Sequence, residues 1–143
     1  MKTKSLGPVR VGLIGLGTIG CGTLNVLSRN RDEISKRVGR DIQVVAAADL
    51  DLTTERSVDL HQVKLTEDAS TIISGGDIDV VIELIGGIEP AKSFILQSLR
   101  NGKSVVTANK ELIAHHGEEI FRVASENMCT VGFEAAVAGS IPI

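Results

Sequence analysis

Short apolar runs bounded by glycine or acidic residues recur along the chain: VRVGLIGL (9–16), IQVVAAA (42–48), DVVIELI (79–85), SVVTA (104–108) and CTVGF (129–133). Their apolar positions are nearly continuous rather than alternating, the pattern of strands covered on both faces in a parallel sheet. Stretches with helical period lie between them: TIGCGTLNVLSRNRDEISKRV (18–38), a shorter piece around TTERSVDL (53–60), DASTIISG (68–75), PAKSFILQSLRNG (90–102) and NKELIAHHGEEIFRVASEN (109–127). Strand and helix therefore alternate, which predicts an α/β fold with a doubly wound, mainly parallel sheet. Pro90 and Gly102 bracket one helix in the expected order, proline at its start and glycine just past its end. Between Asp49 and Asp68 the chain is polar, and only VKL (63–65) offers a brief strand.

One stretch, VVTANKELIA (105–114), departs from helix design. Thr107 and Asn109 are both candidate N-caps and the helical run begins at Glu111, so Lys110 falls in the first turn. A cation there faces the positive end of the helix dipole, a mismatch of about 0.3–1 kcal/mol. The residue sits at the end of a predicted strand, on the rim where ligands gather in such sheets. Two readings stay open from the pattern: Lys110 meets an anionic or polar substrate group, or its long stem carries the charge sideways into solvent.

Composition narrows the class. The chain has 143 residues, 43% hydrophobic and 23% charged, which fits a single folded domain over 1–143 and argues against disorder. With 15 basic and 18 acidic residues the formal charge is −3, so nucleic acid is not an expected partner. No apolar run approaches the roughly 20 residues that cross a bilayer, so no transmembrane segment is expected. Cys21 and Cys129 lie far apart and the N-terminus lacks the organisation of a signal peptide, which points to the reducing cytoplasm. Cys21 reads as a packing residue, and His115 and His116 bring no full metal-ligand set with them. The last residues, AAVAGSIPI, run apolar to the end, which suggests a lead-in to a second domain.

The chemistry begins at Gly15-Leu16-Gly17-Thr18-Ile19-Gly20, which closes the first strand and opens a helix. That context is the one a dinucleotide-binding Rossmann fingerprint requires. Gly15 allows the tight turn, Gly17 lets the backbone approach a pyrophosphate and Gly20 lets the helix pack on the strand. Free N–H groups at the helix start, including those of Thr18 and Ile19, are candidate cofactor contacts. Asp49 ends the second strand, further from Gly20 than the usual spacing of about 20 residues because the first helical region is long. It is the candidate for the adenosine ribose hydroxyls and favours NAD over NADP, since a carboxylate repels a 2′-phosphate; nearby Arg56 could moderate this. Asp51 is the competing acid. Gly86 and Gly87 follow the next strand, either as a loop passing under the cofactor or as an ordinary strand-to-helix turn.

In order and spacing, Gly15-Leu-Gly-Thr-Ile-Gly20, Glu83-Leu-Ile-Gly-Gly87, Val105-Val-Thr-Ala-Asn-Lys110 and Glu134-Ala-Ala-Val-Ala-Gly-Ser-Ile-Pro142 resemble the N-terminal half of homoserine dehydrogenase. The resemblance implies hydride transfer between homoserine and aspartate semialdehyde with NAD or NADP, on the route to threonine, methionine and isoleucine. It implies that Lys110 is an active-site lysine near the nicotinamide, and that Thr107, Ala108 and Asn109 form the loop beside the cofactor. It also implies a monovalent cation, usually sodium, at Glu134, Val137, Gly139 and Ile141, where Ser140 departs from the family's more usual glycine. Members of the family continue into a substrate and dimerisation domain, so the full-length protein is expected to be a homodimer and residues 1–143 alone to have little or no activity. A nucleotide-sensing regulatory domain and a Rossmann dehydrogenase of another small substrate are the competing classes; the first would not need VVTANK or the IPI that ends the sequence, and Glu83-Leu-Ile-Gly-Gly87 and the Glu134 segment argue against the second.

Overall fold

The computed structural model describes residues 7–133. Along the chain it forms β1 (Val9–Ile14), α1 (Thr18–Arg29), α2 (Arg31–Val38), β2 (Ile42–Ala48), β3 (Lys64–Thr66) and α3 (Ser70–Ser74). There follow β4 (Val80–Glu83), α4 (Ala91–Arg100), β5 (Ser104–Thr107), α5 (Lys110–Glu126) and β6 (Val131–Gly132). The strands make a six-stranded sheet of order β3-β2-β1-β4-β5-β6, and its strand pairs are parallel. The predicted doubly wound α/β fold is the one observed. Because β2 and β4 flank β1 on opposite sides, the chain reverses direction across the sheet between β1 and β4, the place where such sheets bind ligands at the carboxyl ends of their strands.

Side-chain alternation along each strand builds a core on both faces. On one face Ile14, Val81 and Val105 pack under α3, α4 and α5 through Ile72, Ile95, Leu99, Leu112 and Ile120. On the other, Leu13 and Ala47 meet Leu16 and Leu24, with Val44, Val58 and Ile82 around them. Among the described residues no helix is long and apolar enough to cross a membrane.

The structure departs from the predicted elements where polar side chains compete for the backbone. The single helical stretch over 18–38 is two helices, because Asn30 leaves the helical conformation at φ −107°, ψ 19°. Its backbone N–H and its side-chain amide both donate to Val26 O, closing α1. The piece around TTERSVDL is not helical at all. Asp51 accepts hydrogen bonds from the backbone N–H groups of Thr53 (2.9 Å) and Thr54 (3.0 Å), as a helix cap would, but Arg56 donates to the carbonyls of Asp51 and Thr54, which a helix would pair with N–H groups four residues on. At α5 the cap is Asn109, whose side chain accepts from Leu112 N–H, and the helix starts at Lys110, one residue earlier than the sequence pattern predicts. Gly102, at φ +74°, follows the end of α4 as expected.

Gly12, in the middle of β1, lies where any larger residue meets a full core. A Cβ there would stand 2.4 Å from Ile72 Cγ2 and 3.1 Å from Ile78 Cδ1. Gly12→Ala is therefore expected to cost about 1–3 kcal/mol by overpacking. A urea titration checks this: the midpoint should fall while the slope stays unchanged.

Candidate dinucleotide site

β1 ends at Ile14 because Gly15 turns the chain at φ +105°, a conformation that favours glycine. A Cβ on Gly20 would lie 2.0 Å from Gly15 O, so the start of α1 seats against the turn only with glycine there. Gly17, by contrast, has open space where its Cβ would be, and it is the N-cap of α1 with no side chain bonded to the helix start. No acidic side chain occupies the first turn of α1. The N–H groups there, with the dipole behind them, are thus presented to an anion from outside, and Thr18 and Ile19 stand exposed beside them. Cys21 donates from its thiol to Leu16 O at 3.2 Å, a packing contact behind the loop.

Asp49 reaches this loop from the end of β2. Its Oδ2 accepts from Leu16 N–H at 2.6 Å and its Oδ1 from Asp51 N–H at 2.9 Å. The Arg56 side chain is only 9% exposed, and its guanidinium lies 3.7 Å from Asp49 Oδ1. It donates to the carbonyls of Leu16 (3.0 Å), Thr54 (3.0 Å) and Asp51. Both ends of the Leu16 residue are therefore held by side chains of the loop after β2. Asp51 turns away into its own turn, where the Thr54 hydroxyl and then the Thr54 and Thr53 donors hold its carboxyl well below the usual carboxylate range. Of the two competing acids, Asp49 is the one in contact with the glycine loop.

A mainly apolar cleft of about 300 Å³ opens here, with Ile14, Ala48, Leu50, Ile85, Gly86 and Phe94 in its lining beside two acids, Asp49 and Glu67. Leu50 is 89% exposed at its edge. An uncharged aromatic base is the kind of group this lining suits, with the carboxylate of Asp49 at its border for hydroxyl donors. Gly86 and Gly87 both adopt φ +71°, so the loop after β4 can bring bare backbone to the cleft.

Beyond the reversal point, β5 ends in Thr107 and the turn to α5. Thr107 is 1% exposed, with its hydroxyl donating to Glu83 Oε2 at 2.6 Å and accepting from Asn109 N–H at 3.0 Å. Asn109 donates its side-chain amide to Gly87 O. Ala108 is half-buried between them, and Lys110 stands exposed as the first residue of α5 on the carboxyl rim of the sheet. The structure thus gathers Gly15, Gly17, Gly20, Asp49, Gly86, Thr107, Asn109 and Lys110 along one edge. Arg56 and Glu83 join them, although the sequence pattern assigns Arg56 only a moderating part and Glu83 no part. A lone carboxylate inside a buried apolar run is the available signal for Glu83. Glu134, Val137, Gly139 and Ile141, the residues of the expected cation site, lie outside the described residues.

Comparison with known proteins identifies the family and agrees with the fold. Residues 15–134 match the family described as homoserine dehydrogenase, NAD-binding domain. The homoserine dehydrogenase of Pseudomonas aeruginosa is 49% identical over 136 residues, 95% of this chain and 31% of that protein. That of Bacillus subtilis is 44% identical over 135 residues, with 94% and 31% covered. The crystal structure of a homoserine dehydrogenase from Thiobacillus denitrificans superposes with a TM-score of 0.87 at 49% identity, over 92% of this chain and 30% of that one. The chain spans about 31% of the length of the first two relatives.

The turn at Asp51 should respond to acid. Its lowered pKa means that its hydrogen bonds stabilise the folded loop fully above the ordinary aspartate value of about 3.9 and lose that contribution as pH falls below it. Amide exchange at Thr53 and Thr54 is expected to accelerate below about pH 4 relative to the intrinsic acid-dependent rate. Asp51→Asn should remove this extra dependence, and a carboxyl resonance of Asp51 titrating at or above the ordinary value would contradict it.

Proposed function

The chain belongs to the homoserine dehydrogenase family, through its NAD-binding domain, and from that premise we propose that it holds the dinucleotide for hydride transfer between homoserine and aspartate semialdehyde. When bound, the nicotinamide supplies the hydride chemistry; the residues of this chain bind, orient and polarise. The N–H groups at the start of α1 take the pyrophosphate, with Gly17 allowing close approach. The cleft beside Leu50 and Phe94 takes the adenine, and Asp49 the ribose hydroxyls. Lys110 brings a cation to the rim, for the substrate carboxylate or for the oxygen that becomes charged as hydride moves.

NAD is the preferred cofactor in this reading. The observation that carries the preference is the pair Asp49 and Arg56. A 2′-phosphate would meet the Asp49 carboxylate, and the nearby guanidinium is occupied by the carbonyls of Leu16, Thr54 and Asp51. Turning Arg56 outward to a phosphate would strip three carbonyls of a charged donor. Glu134, Val137, Gly139 and Ile141 carry the oxygen-donor pattern expected for a sodium-like cation, whose hard character suits carboxylate and carbonyl ligands. The whole enzyme would act as a cytoplasmic homodimer in threonine, methionine and isoleucine biosynthesis, with its remaining substrate contacts supplied outside residues 1–143.

Calorimetric titration of residues 1–143 with NAD and with NADP tests the reading. NAD is expected to bind at least about tenfold tighter, the size of effect that one charge-assisted hydrogen bond has on affinity. Tighter binding of NADP would overturn the preference, and binding of neither would overturn the assignment of the site. Homoserine and NAD together should give little or no NADH with this polypeptide alone.

A further inference from the structure

We propose that Glu83 is a positioning residue that sets the nicotinamide end of the site, by locking the loop of two glycines to the turn that carries Lys110. The proposal rests on the dinucleotide-binding reading above and concerns a part of the site that no glycine fingerprint describes.

Glu83 is the last residue of β4, and its side chain is 0% exposed. Its neighbours in the strand, Val81 and Ile82, are what a central parallel strand ordinarily carries. A carboxylate in that position is costly unless its oxygens are fully engaged. Here each hydrogen-bond partner is a donor: Ile85 N–H at 2.8 Å and Gly86 N–H at 3.3 Å on Oε1, and the Thr107 hydroxyl at 2.6 Å on Oε2. A carboxylate, with two acceptor atoms and no donor, matches this set; an amide would keep one acceptor for Ile85 and Gly86 but turn an NH₂ on the Thr107 oxygen, which would then accept twice and leave its own O–H without the Glu83 acceptor.

The bonds close a ring. From Glu83 they pass to the Thr107 hydroxyl, then to Asn109 N–H, then from the Asn109 amide to Gly87 O, and back through the 85–86 backbone to Glu83. Asn109 is at the same time the cap of α5, accepting from Leu112 N–H at 3.1 Å. The position of Lys110, one residue on, is therefore set by a ring whose only carboxylate is Glu83. The order of the strands says which end of the ligand this serves. With the pyrophosphate at α1 beside β1 and the adenosine toward Asp49 after β2, the other half of a dinucleotide extends over β4 and β5; Ile85 and Gly86 also border the adenine cleft, so the link tested is the one from Oε2 to Thr107, with an acceptor kept for both N–H groups.

Two substitutions cut the same link from opposite sides. Glu83→Gln keeps an acceptor for Ile85 and Gly86 and turns an NH₂ on the Thr107 hydroxyl; Thr107→Val removes the hydroxyl at nearly constant volume. Each is measured in the 143-residue chain against NADH and against ADP, which lacks the nicotinamide half. Each is expected to weaken NADH by about tenfold, as for a lost buried hydrogen bond, and to leave ADP within about twofold. The double variant should be little worse than either single one, since both remove one interaction, and Thr107→Ser, which keeps the hydroxyl, should bind NADH as the wild type does. Unchanged NADH affinity, or an equal loss for NADH and ADP, would overturn the positioning role. Failure of the wild-type chain to bind NADH or ADP would instead overturn the dinucleotide reading itself. Should both variants fail to fold, amide exchange of the wild type decides: Ile85 and Asn109 should be protected to the level of β4 and β5, and exchange at the rate of an exposed loop would overturn the proposal.

Discussion

A parallel sheet leaves the chain with unpaired backbone donors just past the carboxyl end of each strand, and in this protein two carboxylates meet that demand on either side of β1. Asp49, following β2, accepts from Leu16 and Asp51; Glu83, ending β4, accepts from Ile85 and Gly86. Each uses one oxygen for the loop that follows it, at the residue two positions on, and the other for a loop elsewhere in the chain. Asp49 ties the β2 loop to the glycine turn after β1, and Glu83 ties the β4 loop to the turn after β5. The loops that form the candidate site are thus connected in pairs by acids, while the packed core beneath supplies the rigidity.

This arrangement explains which parts of the molecule are legible in the sequence. Nearly continuous apolar runs leave a one-dimensional record, so those over 42–48 and 104–108 match the strands Ile42–Ala48 and Ser104–Thr107 closely, although Val106 is 41% exposed. The glycine turn is legible because its conformational demands fall on nearby residues: φ +105° at Gly15, open backbone at Gly17, contact with Gly15 O at Gly20. The loop from Asp51 to Leu60 escapes the pattern because helical period says nothing about a side chain that captures the carbonyls of the segment, as Arg56 does at Asp51 and Thr54. Asn30 divides the first helical region by the same competition. Glu83 and Arg56 escape it for a different reason. Each has, beside its near partners, one that ties it across the site, 24 residues away for Glu83 and 40 for Arg56, and no local pattern encodes such a pairing.

Lys110 illustrates how magnitudes change an inference from local rules. A cation in the first turn of α5 costs about 0.3–1 kcal/mol against the dipole. The same turn contains Glu111, whose charge offsets part of that, and it is capped by Asn109, a contribution of about 0.5–2 kcal/mol. The helix start is therefore stable with lysine in place, and the mismatch alone is too small to demand a ligand. What distinguishes the residue is where the cap holds it. Asn109 is fixed from both ends, by Thr107 behind and Gly87 across, so the backbone of Lys110 emerges from one of the most constrained turns on the rim. A side chain rooted in such a turn is presented at a reproducible place on the rim, because ordering four side-chain torsions costs less than ordering the loop beneath them as well.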